Sequence, residues 1–289
     1  MPTWTAEIAV DEPLARTLAG RFPELAGKPL RLLSRGWDRT AWLVDETWVL
    51  GFPRRAVVVP GIERELEWLP RLASKLPAPI PLPELIGAPS DAFPWPFFGS
   101  RFIPGEEALT AGLDDAQRTR VGVELARFLR ALHRLDGTGL PADGNNRADM
   151  AYRAPYTRDL FTQLGRVAPA LLDDAERLPP APEPATIAHG DLHDRQVLVH
   201  KGRLSGVIDW VDVCRGDPSI DLIMLWTFVP PSGRAAFLAE YGDVDDATLL
   251  RARVLALMMG AVLALYARDE RQPQLEQDAF AMIERALAD

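Results

Sequence analysis

His189-Gly190-Asp191-Leu192-His193-Asp194-Arg195-Gln196-Val197-Leu198-Val199-His200, and past the turn at Lys201 the run Leu204-Ser205-Gly206-Val207-Ile208-Asp209-Trp210, form the stretch whose reading decides the fold. The runs QVLVH and LSGVID alternate apolar and polar residues around the turn KGR, which predicts a short β-hairpin. Asp191 then precedes the first strand and Asp209 closes the second. Two carboxylates at strand ends joined by a hairpin can converge on one cavity. Phosphoryl transfer needs such a pair: one carboxylate to accept or orient a hydroxyl proton, the other to hold a divalent metal against phosphate. Either aspartate alone reads more simply as a turn or capping residue, because Gly-Asp is ordinary turn chemistry. The pairing gives the chemical reading its weight.

Upstream of this stretch, Leu30 to Pro53 breaks into the β-prone runs LRLLS, TAWLVD and TWVLGF, separated by RGWDR and DE, which predicts three antiparallel strands. Beyond Pro60 and Gly61, the spacing of Ile62, Leu66, Leu69, Leu72 and Leu76 predicts a helix, interrupted or bent at Pro70. The prolines from Pro77 to Pro83 end it, and PELIGAP and WPFFGSRFIPG add two strand-like runs. A five-stranded sheet with one helix results. Leu14, Leu18 and Phe22 predict a further, opening helix within residues 1–27. The second half reads as mainly helical, with helices over 116–135, 156–172, 219–228, 234–241, 247–268 and 274–288.

The 289 residues, 47% apolar and 25% charged, are enough for a sizeable core and exclude wholesale disorder. Against 32 Lys and Arg stand 41 Asp and Glu, a net charge of −9, which argues against a nucleic-acid partner. Cys214, the only cysteine, leaves no internal disulfide or thiolate cage, and residues 1–30 lack the order of a secretion signal, so a cytoplasmic location is expected. The apolar run Val254–Tyr266, bounded by Arg253 and Arg268, is short for a bilayer span and reads as a core helix; no membrane partner is expected. Four scattered histidines without ligand spacing on one element do not make a zinc site.

HGDLHDRQVLV and GVIDWVDVCRGDPSIDL resemble the catalytic core of the aminoglycoside phosphotransferase family, near its macrolide phosphotransferase branch and more distantly choline kinases and protein kinases. The resemblance covers nearly the whole chain. It implies an α+β, bilobal, protein-kinase-like fold: a nucleotide-binding lobe of antiparallel sheet plus helix over 1–99, a hinge over 100–105, and a mainly helical catalytic and acceptor-binding lobe over 106–289. By this resemblance Asp191 is the catalytic carboxylate and Asp209 the metal-binding aspartate. Gln196 stands where the family has Asn, or His in the macrolide-type branch, and would present a carbonyl oxygen to Mg²⁺ from one methylene further out. Asp217 and Asp221 in GDPSID match the segment that braces the catalytic loop, a role compatible with helix capping.

The same resemblance places Gly36, in SRGWDRTAWLV, in the loop that covers the nucleotide phosphates. Glu65, chosen over Glu63 and Glu67, is the glutamate that pairs with the phosphate-contacting cation. The backbone of Ser100, Arg101, Phe102 and Ile103 would meet the nucleotide base. Family members carry Lys or Arg in the third strand to contact the α and β phosphates; here Gly51 occupies that position, and Arg54 is the candidate for the role. Three readings stay open at this point: Arg54 or Arg55 reaches back, nucleotide use has weakened, or the alignment is shifted.

The implied activity moves the terminal phosphate of ATP or GTP, with Mg²⁺, to a hydroxyl of a small molecule: an antibiotic such as a macrolide or aminoglycoside, or a metabolic alcohol. The partners are then nucleotide and acceptor alone. Trp226, Phe228, Met258, Met259 and Tyr266 are candidates for an apolar acceptor pocket, although such residues are more often helix core. A second reading is a catalytically impaired, pseudokinase-like binding protein that keeps both aspartates but lacks a cation at Gly51.

Overall fold

The computed structural model describes residues 5–36, 38–183 and 186–289. The chain divides into two units: the residues up to Lys75 with Pro79–Pro104 and Val207–Val211 form the first, and Leu76–Ala78, Gly105–Gly206 and Asp212–Asp289 the second. The expected lobe over 106–289 is therefore interrupted, since 207–211 groups with the first unit. The reason is local bonding. The Val207 N–H donates to the Pro79 carbonyl (3.0 Å) and the Trp210 N–H to the Glu65 carboxylate (3.1 Å).

The first unit contains α1 (Glu12–Ala19), β1 (Leu30–Arg35), β2 (Arg39–Val44), β3 (Trp48–Pro53), α2 (Val59–Leu72), β4 (Leu85–Gly87) and β5 (Phe97–Arg101). The opening helix is shorter than its apolar pattern predicts: Asp11 caps it by accepting the Leu14 N–H (3.0 Å), and it stops at Gly20 ahead of Pro23. The five strands are antiparallel in the order β1-β2-β3-β5-β4. Alternation along β3 sends Trp48, Leu50 and Phe52 to one face, where they join Trp42, Val44, Leu18 and Phe97 in a core beneath α1. The Phe52 ring packs 4.8 Å from Phe97 and 5.9 Å, edge-on, from Phe93. The opposite face, carrying Arg39, Ala41 and Gly51, is the one that meets α2. That helix runs through Pro70 to Leu72, because Pro70 sits in its last turn and removes only one backbone bond.

The second unit is mainly helical. Its elements are β6 (Glu106–Glu107), α3 (Asp115–His133), α4 (Met150–Gln163), α5 (Leu171–Glu176), β7 (Thr186–Ala188), β8 (Val197–His200), β9 (Arg203–Val207), β10 (Cys214–Gly216), α6 (Met224–Thr227), α7 (Pro231–Tyr241), α8 (Asp246–Asp269) and α9 (Pro273–Leu287), with the last residue of β9 passing to the first unit. A capping box between Asp114 and Gln117 starts α3. The helix expected over 156–172 is two: Asp149 caps α4 six residues earlier, and Gly165, at φ +71°, ends it before α5. The segment 219–228 likewise splits, into a single 3₁₀ turn at Pro218–Ile220 and the short α6. The β8–β9 hairpin turns on Lys201 and Gly202, both left-handed at φ +51° and +69°, the conformation that a two-residue turn requires. By length and composition α8 is apolar enough to cross a membrane, yet Val254, Leu255, Leu257 and Ala261 are buried within the unit, and Gly260 admits Ile283 of α9 at close range.

Candidate active site

The loop between β7 and β8 carries His189 to Gln196, and its shape is held by one buried carboxylate. Asp221, wholly buried, accepts the N–H groups of His189 (2.7 Å) and Gly190 (3.1 Å) and pairs with His133 Nε2 (3.1 Å). His133 Nδ1 lies 2.7 Å from the Tyr241 hydroxyl, so the brace is tied to α3 and α7. Burial works against the Asp221 charge, but the hydrogen bond and charge of His133 outweigh it and hold the carboxyl below its ordinary range. Gly190 is required as glycine twice over. Its φ is +91°, and a β-carbon there would overlap the Asp212 carbonyl. Asp217 caps the following turn by accepting the Ser219 N–H (2.9 Å).

So positioned, Asp191 is half-buried and forms part of the wall of a cavity of about 460 Å³ inside the second unit. One side is apolar, made by Ile220, Ile223, Leu255, Met258 and Met259; the other carries Arg147, Tyr152 and Arg153. Arg147 is committed to Asp143 (2.5 Å) and Asp212 (2.6 Å). Arg153 lies over the Tyr152 ring (5.2 Å) and donates to the Asn145 carbonyl (2.5 Å). Of the candidate acceptor residues, the two methionines line this cavity. Phe228 is fully buried instead, Trp226 has the guanidiniums of Arg234 (4.4 Å) and Arg253 (4.7 Å) over its ring, and Tyr266 lies outside the lining. Further along the loop, burial, with Arg195 and His189 nearby, pushes the His193 imidazole down to about 3, so it is neutral at ordinary pH. Gln196 is buried and its Oε1 has no hydrogen-bond partner.

The other sequence candidates lie in the first unit. Asp209 follows β9 in a left-handed conformation, φ +66°, which costs a non-glycine residue of order 1–3 kcal/mol and clusters at functional sites. Helix α2 clasps the segment that carries it. Gly61 leaves room for Val211, the Arg64 guanidinium donates to the Val211 carbonyl (2.7 Å), and Glu65 accepts the Trp210 N–H. Glu65 is fully buried where Glu63 and Glu67 are exposed. Its partner is Arg39 of β2, a residue that sequence reasoning passed over. Burial opposes the charge on Arg39, but Glu65 and Asp209 together hold its guanidinium above the ordinary value. Burial pushes the Glu65 carboxyl up, with Arg39 pulling against it.

Arg54 donates to the Gly36 carbonyl and Arg55 to the Asp38 carboxylate, at the turn between β1 and β2. Gly36 is exposed, and Trp37 beside it lies outside the described residues. In the expected hinge, Ser100 is buried opposite Val49, Arg101 stacks on Trp48 (3.8 Å), and the Phe102 N–H is spent on the Thr47 carbonyl (2.8 Å). Ile103 follows, beyond the end of β5.

Among the described residues no group of three His, Cys, Asp or Glu could hold a metal ion. Magnesium asks for less from protein: one or two hard oxygen donors, the rest from phosphate and water. In the first unit Asp209 presents a carboxylate of that kind, and in the second the buried Gln196 Oε1, without a hydrogen-bond partner, is an oxygen donor of the same kind.

An antiparallel sheet with one packed helix, and a mainly helical unit with a braced Gly-Asp loop, are the two parts that the sequence led us to expect. Residues 29–257 match the model of the phosphotransferase enzyme family, and the chain belongs to that family. Solved structures with the same fold include the GDP complex of wild-type aminoglycoside 2′-phosphotransferase-IIIa, at TM-score 0.72 and 22% identity over 96% of this chain and 98% of that one. Macrolide 2′-phosphotransferase MphH from Brachybacterium faecium, as apoenzyme, aligns at TM-score 0.61 and 24% identity over 93% and 97%. ADP-bound aminoglycoside phosphotransferase APH(2″)-Ib aligns at 0.60 and 20% over 96% and 99%. A search of curated proteins gives no significant match.

Proposed function

We propose that this protein transfers the terminal phosphate of ATP or GTP to a hydroxyl of an amphipathic small molecule seated against Asp191. The observation that carries the reading is the position of Asp191: half-buried in the wall of a cavity large enough for such an acceptor, on a loop that Asp221 and Gly190 hold in one shape. The acceptor oxygen attacks the terminal phosphorus, the bond to the bridging oxygen breaks, and the nucleoside diphosphate leaves. Asp191 orients the hydroxyl and takes its proton as the new bond forms. Asp209 would hold Mg²⁺, with Gln196 the other candidate oxygen donor, and the ion would supply neutralisation of phosphate charge. Most of the acceleration then comes from positioning, because the transferred group needs little covalent help.

The cavity wall also bears on the acceptor. Its charged side chains are Asp191, Arg153 and Arg147, the last offset by its ion pairs with Asp143 and Asp212. A polycationic aminoglycoside would find Asp191 as the one carboxylate in this lining. A neutral or weakly charged acceptor with a broad apolar face would find Leu255, Met258 and Met259. We therefore favour a macrolide-like or other amphipathic alcohol, and an antibiotic-modifying role is one form of it. The test is a panel of kanamycin, a macrolide and simple alcohols, with ATP and with GTP, followed by mass spectrometry for phosphorylated product. A macrolide or amphipathic alcohol phosphorylated with kcat/KM well above kanamycin supports the reading; kanamycin as the best acceptor overturns it.

A further inference from the structure

We infer that Arg39 of β2 is the cation that grips the α and β phosphates of the nucleotide, occupying the space that Gly51 leaves open on β3. The assignment rests on the phosphotransferase reading above and gives it a residue that the third strand lacks.

The register of the sheet places the two positions. Ala41 faces Gly51 and Arg39 faces Pro53, so Arg39 lies diagonally across from Gly51 on the same face. Long side chains bridge that diagonal. A β-carbon added at Gly51 would lie 2.8 Å from Arg39 Cδ, which means the arginine stem runs through the volume that any other side chain at 51 would fill. The guanidinium continues past the Phe98 ring of β5, 5.3 Å from its centroid, and bonds Glu65 of α2. An arginine rooted on one strand thereby delivers its charge over the next.

The hydrogen bonding of Arg39 leaves a donor for an anion. The Arg39 side chain is 17% exposed and its Nε is buried without a hydrogen-bond partner, so one guanidinium donor is spare beside the Glu65 bond. Glu65 is anchored independently by the Trp210 N–H, next to Asp209. The nearby arginines are committed elsewhere: Arg54 to the Gly36 carbonyl, Arg55 to Asp38 and Arg64 to the Val211 carbonyl. A planar fork with spare donors, held by a buried carboxylate, is the side chain suited to bridging phosphate oxygens.

The experiment compares binding of ADP, GDP and adenosine, with Mg²⁺ present, by isothermal titration calorimetry. Proteins are the wild type, Arg39→Ala, Arg39→Ala/Glu65→Ala, and Arg39→Ala/Gly51→Arg. Arg39→Ala is expected to weaken the diphosphate that the wild type binds by about 10- to 100-fold, the scale of a lost charge-assisted hydrogen bond. Adenosine affinity should stay unchanged, a split that general misfolding would not produce. Removing Glu65 as well relieves any stranded buried charge, so that variant should fold and still bind diphosphate weakly. Gly51→Arg in the Arg39→Ala background should recover most of the loss, since its side chain enters the vacated space. Equal diphosphate affinity in wild type and Arg39→Ala overturns the assignment and leaves the phosphotransferase reading standing. So does a loss shared equally by adenosine. A wild type that binds neither diphosphate overturns both.

Discussion

Asp221 touches no substrate and carries more of the site's geometry than any residue that would. Its carboxylate is the shared acceptor for two loop amides and His133, all buried. Replacing it with alanine strands those donors without water, a loss of about 3–5 kcal/mol by the cost of breaking a buried charged network. Urea unfolding of Asp221→Ala should show the midpoint fall accordingly, and a wild-type midpoint would contradict the brace. Gly190→Ala tests the same loop from the other side. Alanine must adopt φ near +91° while its methyl overlaps the Asp212 carbonyl, so the variant should lose activity and melt earlier than wild type. At this scale much was legible in the sequence. The resemblance marked Asp191, Asp209, Glu65 and Asp221 by side-chain identity, and the structure buries Glu65 and Asp221 completely. Arg39 was not legible. Its place beside Gly51 comes from the register of β2 against β3, a diagonal placement of positions twelve residues apart that no local pattern states.

The element that organises the first unit's chemistry is α2, because one of its faces clasps the Asp209 segment at three successive points. Gly61 admits Val211, Arg64 holds the Val211 carbonyl, and Glu65 holds the Trp210 amide. Gly61→Val fills the space that Val211 occupies, so it should destabilise the protein by about 1–3 kcal/mol, as overpacking does, and weaken binding of Mg²⁺-nucleotide. Thermal unfolding and calorimetry on the same variant check both halves; a Gly61→Val protein with native melting and native affinity contradicts the clasp. Strands and long helices were readable from local pattern, since the β-prone runs between turns in Leu30 to Pro53 mark strands and the helical spacing after Asp114 follows from burial of one face of α3. Ends and breaks were less so. Pro70 ends no helix because it falls in the last turn, while Gly165 splits an apolar run that spacing alone would join. The grouping of 207–211 with the first unit depends on hydrogen bonds to Pro79 and Glu65, contacts that are distant in sequence.

For the whole molecule, stability should fall under acid. His193 is held neutral in the native state, down to about 3, whereas in the unfolded chain it takes a proton near pH 6.5. Below that pH the unfolded state binds more protons than the native one, so stability falls as pH drops from about 6.5 toward 3. Asp221 acts in the same sense at lower pH, its depressed native carboxyl losing its stabilising charge as it is protonated. The melting temperature should therefore decline between pH 7 and pH 5, and His193→Gln should flatten that decline; identical slopes would contradict the assignment. The central claim is that Asp191 is the group that activates the acceptor, and it is tested most directly by single-turnover transfer of radiolabelled terminal phosphate. Nucleotide affinity should be measured on the same samples of wild type and Asp191→Asn. The account predicts unchanged nucleotide affinity with transfer slowed about 10²- to 10⁴-fold, the range for loss of a general base. Transfer at the wild-type rate by Asp191→Asn would contradict it.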